Sequence, residues 1–297
     1  MRVTLNSAVR DAQAQLQRVE AQIAQRTREL SSGRRLNTLS DDPSSSVGAV
    51  INRAEIGQTD SYIRATDSVG ARLSVVDSLL NDVIVQITGG LTAAFGARGS
   101  SVQQSQRDAY AIELEGIRDT ILADVNTQFN GAYLFSGAAS TTEPYTKTAG
   151  VVSPYQGTTT AVSVDIGEGT SVQVSRSGDV LLRGSDVDDL FVELDRLIAG
   201  VRAGNAADID AGISALNRAF DRATAVQSQV GIDLRTASDQ RLQLGVQKVQ
   251  QRAEVSRHED ANLAEAITDL QMAEVRYQAA IRAIGSRLSL SLMDFVR

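Results

Sequence analysis

Apolar residues return every seven positions at both ends of this chain, and few architectures accept such a pattern. Val9, Leu16, Ile23 and Leu30 form one row near the start, with Leu5, Ala12 and Val19 as a companion row that Arg26 interrupts. Towards the other end Ile267, Ile281, Leu288 and Phe295 keep the same period, with Glu274 the exception. Leu263, Leu270, Tyr277 and Ile284 supply the second row there. This alternating four–three spacing is a coiled-coil stripe rather than an ordinary globular helix face. No Gly or Pro lies between Met1 and Ser32 or between Ser256 and Ile284, so both ends read as long helices that pair with one another. Residues 1–35 hold seven Arg against three acids, and 271–297 hold four Arg against two. Ends of like sign cannot be drawn together by net charge, so apolar burial must drive the pairing. Each seam side chain contributes ~1.5–3 kcal/mol when fully buried, against ~1–2 kcal/mol of backbone entropy for every residue ordered. The first helix is therefore expected to be marginal alone and to order only on assembly.

Between the ends the punctuation is sharp. Gly33 suits a helix C-terminus in the left-handed conformation. Leu36 to Asp42 read as a loop, and Asp42-Pro43 restarts a helix with Asp as N-cap and Pro in the first turn. Val69, Leu73, Val76, Leu80, Val83 and Ile87 then hold helical spacing to about Gly89, where Gly89-Gly90 and the stretch from Gly96 to Ser101 are expected to break it. A third helix carries Tyr110, Leu114, Ile117 and Ile121 and is expected to end at Asn130-Gly131. Residues 136–185 are rich in Gly, Ser and Thr, and Val162, Val164 and Ile166 alternate with polar residues, as do Val172 and Val174, which is a β-hairpin signal. Leu190, Leu194, Ile198 and Val201 mark a short helix. After Asn205 a longer stripe follows, through Ile209, Ile213, Leu216, Phe220 and Val230. The fold class expected is mainly α: an elongated helical rod with terminal coiled-coil helices and a small β-rich insert at its far end.

Composition excludes several kinds of chemistry. The 297 residues contain no Cys, so disulfides, zinc fingers and thiol nucleophiles are absent. His258 is the sole histidine and reads as an exposed helix residue. His258-Glu259-Asp260 occupy adjacent helix positions that cannot converge on one metal. No phosphate-loop, dinucleotide or nucleophile-elbow motif occurs. Asp41-Asp42 could serve as a carboxylate pair, but their place before Pro43 favours capping. No catalytic residue, cofactor site or metal site is therefore expected, and an enzyme is not. The net charge of −7 speaks against nucleic acid as a partner. No run of apolar residues is long enough for membrane insertion. The start lacks an apolar secretory leader.

Leu30-Ser-Ser-Gly-Arg-Arg-Leu-Asn37 followed by Ser40-Asp-Asp-Pro43 resembles the N-terminal signature of the flagellin superfamily. Glu259-Asp-Ala-Asn-Leu-Ala-Glu-Ala-Ile-Thr-Asp-Leu270, Tyr277-Gln-Ala-Ala280 and Ser289-Leu-Ser-Leu-Met-Asp-Phe295 resemble its C-terminal end. Asn262 departs from the pattern, which often has Asp there. Two members compete: filament flagellin, and the junction protein between hook and filament. Pro43, where flagellin commonly has Ala, and Phe129-Asn-Gly-Ala-Tyr-Leu-Phe-Ser-Gly137 lean towards the junction protein. The resemblance implies residues 1–42 as an N-terminal tube helix with elbow loop, 43–135 as rod helices and 136–185 as a β-rich outer domain. Residues 186–255 would be returning rod helices and 256–297 a C-terminal tube helix. It also implies unfolded export by the flagellar type III apparatus to the outside of the cell, without a cleaved leader. The implied partners are copies of itself, the first hook-associated junction protein, flagellin and a cytoplasmic export chaperone. On this reading Val9, Leu16, Ile23 and Leu30 pack against Ile267, Leu270, Tyr277, Ile281, Ile284 and Leu288, within or between subunits. Gly33, Asp41, Asp42 and Pro43 fix the elbow, and Leu290, Leu292 and Phe295 contact the chaperone.

Overall fold

The computed structural model describes residues 2–38, 42–99, 101–148 and 150–295, with side chains for all of these except 2–9, 12 and 286–295. Its order is α1 (Arg2–Ser32), α2 (Pro43–Ala97), α3 (Gln104–Val125), β1 (Gln128–Phe129), β2 (Ala132–Tyr133), β3 (Lys147–Thr148), β4 (Val151–Val152), β5 (Ser163–Gly167), β6 (Thr170–Gln173), α4 (Gly178–Leu182), α5 (Leu190–Ala203), α6 (Ala206–Glu259) and α7 (Leu263–Phe295). The class is mainly α with a small strand-bearing segment, as the periodicities require. Two compact units divide the chain: residues 1–58 with 247–297, and residues 59–246.

The core of the 59–246 unit is built on the stripe of α2. Val69, Leu73, Val76, Leu80, Val83 and Ile87 are all buried, together with Leu114 and Ile121 of α3, Leu194 and Leu197 of α5, and Ile209 and Leu216 of α6. The expected break at Gly89-Gly90 does not occur, since α2 runs on to Ala97. A Cβ at Gly90 would lie 3.5 Å from Leu216 and 3.8 Å from Leu114 side-chain atoms, and one at Gly89 3.6 Å from Ile117, so both glycines lie on a packed helix face rather than in a turn.

Asn130-Gly131 likewise does not terminate a helix. Helix α3 ends five residues earlier at Val125, and Asn130 and Gly131, at φ 51° and 78°, form the tight turn between β1 and β2. Two residues with positive φ between short strands are the requirement of a type I′ hairpin. The hairpin expected around 162–174 is present, with Val164 opposite Val172 and Ser163 opposite Gln173. A short helix, α4, follows it inside the segment expected to be only β-rich. Asp189 caps α5 by accepting the N–H groups of Phe191 and Val192 at 2.9 and 3.1 Å. Gly204 ends that helix in the left-handed conformation. Arg72 of α2 ties the strand-bearing segment down by donating from Nε to the Val174 carbonyl at 2.7 Å. Arg176 forms a buried ion pair with Asp233 of α6.

In the other unit α1 packs along α7. The helix expected to begin at residue 256 is interrupted: α6 persists to Glu259 and α7 starts at Leu263. The break is held by pairing with the loop after α1, where Ala261 donates its N–H to the Gly33 carbonyl at 3.0 Å. His258 is half-buried rather than exposed, because its ring lies 3.6 Å from where a Cβ on Gly48 would stand.

Among the described residues of the 59–246 unit, four buried side-chain atoms lack a hydrogen-bond partner: Nε of Arg107, Nε of Arg176, the hydroxyl of Tyr145 and Oδ2 of Asp124. Tyr145 sits edge-on to Phe191 with ring centroids 5.0 Å apart. Replacing it with Phe keeps that packing and removes the orphan hydroxyl, so Tyr145→Phe should raise stability by about 1 kcal/mol in urea unfolding. Burial, with repulsion from Asp82, pushes the Asp124 carboxyl up to about 6. An aspartate in the unfolded chain titrates near ~4, so ionisation increasingly disfavours the fold as pH rises from ~4 to about 6, and the deficit is constant above that. The stability of Asp124→Asn relative to the unsubstituted chain should therefore grow across that window and level off at neutral pH, as read from unfolding midpoints at several pH values.

Candidate functional site: the paired chain ends

α1 and α7 run antiparallel, as three contacts fix. The Tyr277 hydroxyl donates to Glu20 Oε1 at 3.0 Å, Arg26 Nη2 lies 2.9 Å from Asp269 Oδ2, and Gly33 meets Ala261. This register sets Leu16, Ile23 and Leu30 opposite Ala280, Ala273 and Ala266. Ala266 and Ala273 are buried at 3% and 4% exposure. Leu16, Ile23, Leu30, Leu270, Tyr277 and Ile284 are half-buried. Ile267 and Ile281 are not brought into this pair: both lie outward at 47% exposure, as do Leu263, Met272 and Val275 to a similar or greater degree. The most buried row of α7 is the alanine row, one residue before the isoleucine row. The side chains of Val9, Leu288, Leu290, Leu292 and Phe295 lie outside the described residues.

Arg26, which interrupts the apolar row of α1, has a structural part. Its Nη1 donates to Glu29 Oε2 at 2.6 Å while Nη2 faces Asp269, and these acids raise its pKa, the Glu29 hydrogen bond most. Glu29 is buried at 2% exposure and also accepts Gln25 Nε2 at 3.1 Å. Arg26 and Asp269 are each more than a third exposed, so this pair adds at most about 1 kcal/mol and acts mainly on register. The Tyr277 phenol is raised above its ordinary pKa by its bond to Glu20.

At the joint between α1 and α2, Gly33 takes φ 69°, the left-handed geometry that ends a helix. Asp42 Oδ1 accepts the N–H groups of Ser44 and Ser45 at 3.2 Å each, capping α2 ahead of Pro43. Hydrogen bonds from the Ser45 and Ser44 hydroxyls, followed by the Ser45 N–H, hold the Asp42 carboxyl far below the usual carboxylate range. Asp41 lies outside the described residues. Asn262 does at α7 what Asp42 does at α2, with Oδ1 facing the Glu265 N–H at 3.4 Å. Asn caps as well as Asp does. Among the described residues no cluster of three or more metal-ligating side chains occurs, and the polar groups of the site engage one another in capping and register. The arrangement offers exposed apolar surface and fixed helix ends.

Residue 273 tests the seam. Ala273→Leu adds three carbons at a buried position of α7 and should destabilise the pair by about 1–3 kcal/mol. Faster amide exchange throughout α1, with α3 unchanged, is the expected result in hydrogen-exchange mass spectrometry.

Residues 3–140 match the family described as the bacterial flagellin N-terminal helical region. Flagellar hook-associated protein 3 of Salmonella typhimurium is 24% identical over 292 residues, covering 91% of each chain. Among solved structures, flagellar hook-associated protein 3 of Legionella pneumophila has a TM-score of 0.64 at 12% identity, over 70% of this chain and 98% of that one. FlgL of Bacillus cereus has a TM-score of 0.58 at 19% identity, over 71% and 100% respectively. The similarity to these structures is one of fold. The N-terminal match and the near full-length likeness make the chain similar to the flagellin N-terminal helical region and to hook-associated protein 3.

Proposed function

We propose that this chain is a structural subunit of the bacterial flagellum that joins the hook region to the filament. It assembles as a helical ring or tube through its terminal helices. The observation that carries this reading is the outward apolar face of a terminal helix pair: Ile267, Met272, Val275 and Ile281 are all exposed on α7 while the inward seam is already occupied by α1. Contiguous apolar surface of that kind marks a protein-binding face, and the likeness to hook-associated protein 3 supplies the setting. Its partners are then copies of itself, the first hook-associated protein and flagellin. It reaches them by unfolded export through the flagellar type III apparatus, with a cytoplasmic chaperone on Leu290, Leu292 and Phe295. Its place is outside the cell, at the hook–filament junction, and its role is architectural rather than catalytic. Absence of Cys removes the risk of oxidative cross-linking there.

A short filament flagellin is the second reading; Pro43 and the short strand-bearing segment favour the junction. Fractionation of flagellated cells separates the two. A junction subunit is found at the filament base, and its loss releases flagellin into the medium, whereas a flagellin is found along the filament. The seam itself is tested by Leu16→Ala with Ile23→Ala. That double variant should keep the 59–246 unit folded by circular dichroism yet fail to enter flagella, and normal incorporation would refute the assignment.

A further inference from the structure

Glu259 ends α6 with its side chain turned inward, at 4% exposure. A carboxylate withdrawn from water to that extent persists only while cations and donors surround it. Arg53 of α2 places Nη2 at 2.6 Å from Glu259 Oε2, and Arg34, from the loop after α1, reaches the same oxygen at 3.9 Å. The other oxygen, Oε1, is buried without a hydrogen-bond partner. The main chain on either side is engaged as well. The Glu259 carbonyl accepts the Arg35 N–H at 2.7 Å, the His258 carbonyl accepts Arg35 Nη2 at 3.0 Å, and Arg34 pairs with Asp260 in an antiparallel bridge. Arg35 also donates to Asp42, the cap of α2, at 3.3 Å. A cleft of about 130 Å³ beside these groups is lined by Leu36, Ser46, Ala49, Val50, Arg53 and Glu259.

We propose that Glu259 is a buckle. It couples the order of loop 33–38 and the first turns of α2 to the order of the α6–α7 break, so that the N-terminal and C-terminal parts of this unit become rigid together. The coupling follows from the incomplete satisfaction of the acid. With Oε1 already unpartnered, losing Arg53 leaves a buried charge with only the more distant Arg34, and the last turn of α6 opens to water. Losing Glu259 equally removes the anchor on which Arg34, Arg53 and the loop converge. Coupling of this kind is reciprocal by thermodynamic necessity. It holds for a single chain, whatever that chain assembles into.

The test is hydrogen-exchange mass spectrometry on the purified full-length chain and on Glu259→Gln, Arg53→Gln and the double variant, with α3 as internal reference. Glu259→Gln keeps the shape of the side chain and removes its charge. Each single variant should speed exchange in both 33–53 and 256–266 by roughly tenfold, the exposure of Arg53 moderating the loss, and should leave α3 unchanged. The double variant should be no worse than either single one, because both break the same interaction. A purely local packing role would confine the change to the side that carries the substitution, and that result overturns the proposal. No change on either side overturns it too, as does loosening that spreads equally to α3.

Discussion

A 31-residue helix with one apolar stripe gains too little in water to hold itself together, so α1 exists as structure because α7 covers that stripe. The cover is thin. In the core of the 59–246 unit the same four–three spacing gives complete burial of Leu73, Val76, Leu80, Val83 and Ile87, all at 0% exposure, because several helices surround α2. Along α1 it leaves Leu16, Ile23 and Leu30 half-buried, because a single partner lies against them. The number of surrounding helices, and not the spacing, decides how much of the transfer free energy a stripe realises. A pair left half-covered by its own chain retains a capacity for further burial.

Much of the fold was legible because periodicity and punctuation are local. The stripe of α2, the hairpin of β5 and β6, the left-handed Gly33 and the cap at Asp42 all follow from residues within a few positions of one another. What failed was non-local. Gly89 and Gly90 read as a break, yet Gly89 lies against Ile117 and Gly90 against Leu114 and Leu216 inside a continuous helix, and no local rule separates a glycine on a packed helix face from one of a turn. Asn130-Gly131 was a correct turn signal assigned to the wrong element, since strands of two residues leave almost no alternation to detect. The interruption at 260–262 contains neither Gly nor Pro and is imposed by the pairing of Asp260 and Ala261 with Arg34 and Gly33, far away in sequence.

The candidate site divides in the same way. The heptad rows identified which helices pair, but a row of large residues outranks a row of alanines in any reading by hydrophobicity. The observed burial reverses that ranking. Opposite Leu16, Ile23 and Leu30, alanine allows contact, while the bulkier Ile267 and Ile281 face outward. Glu259 gave no signal of its own, because a glutamate at the end of a helix reads as a solvated residue until Arg34 and Arg53 are brought to it.

Apolar heptads leave one question open that polar residues answer. Sliding α1 along α7 by seven residues would again set apolar rows against each other at little cost in buried area. In the observed register Arg26 meets Asp269 and Glu20 meets Tyr277. A slide of one heptad in one direction sets Arg26 against Arg276, and in the other against Asn262, while Glu20 comes to face Ile284 or Leu270. Like charges or an unanswered acid then replace two satisfied contacts. The polar interruptions are worth little as binding energy at the surface, yet they separate registers that apolar burial alone would leave nearly equal. Arg26 is thus no flaw in the stripe. It selects one alignment of the two chain ends, and only in that alignment do Gly33 and Ala261 meet.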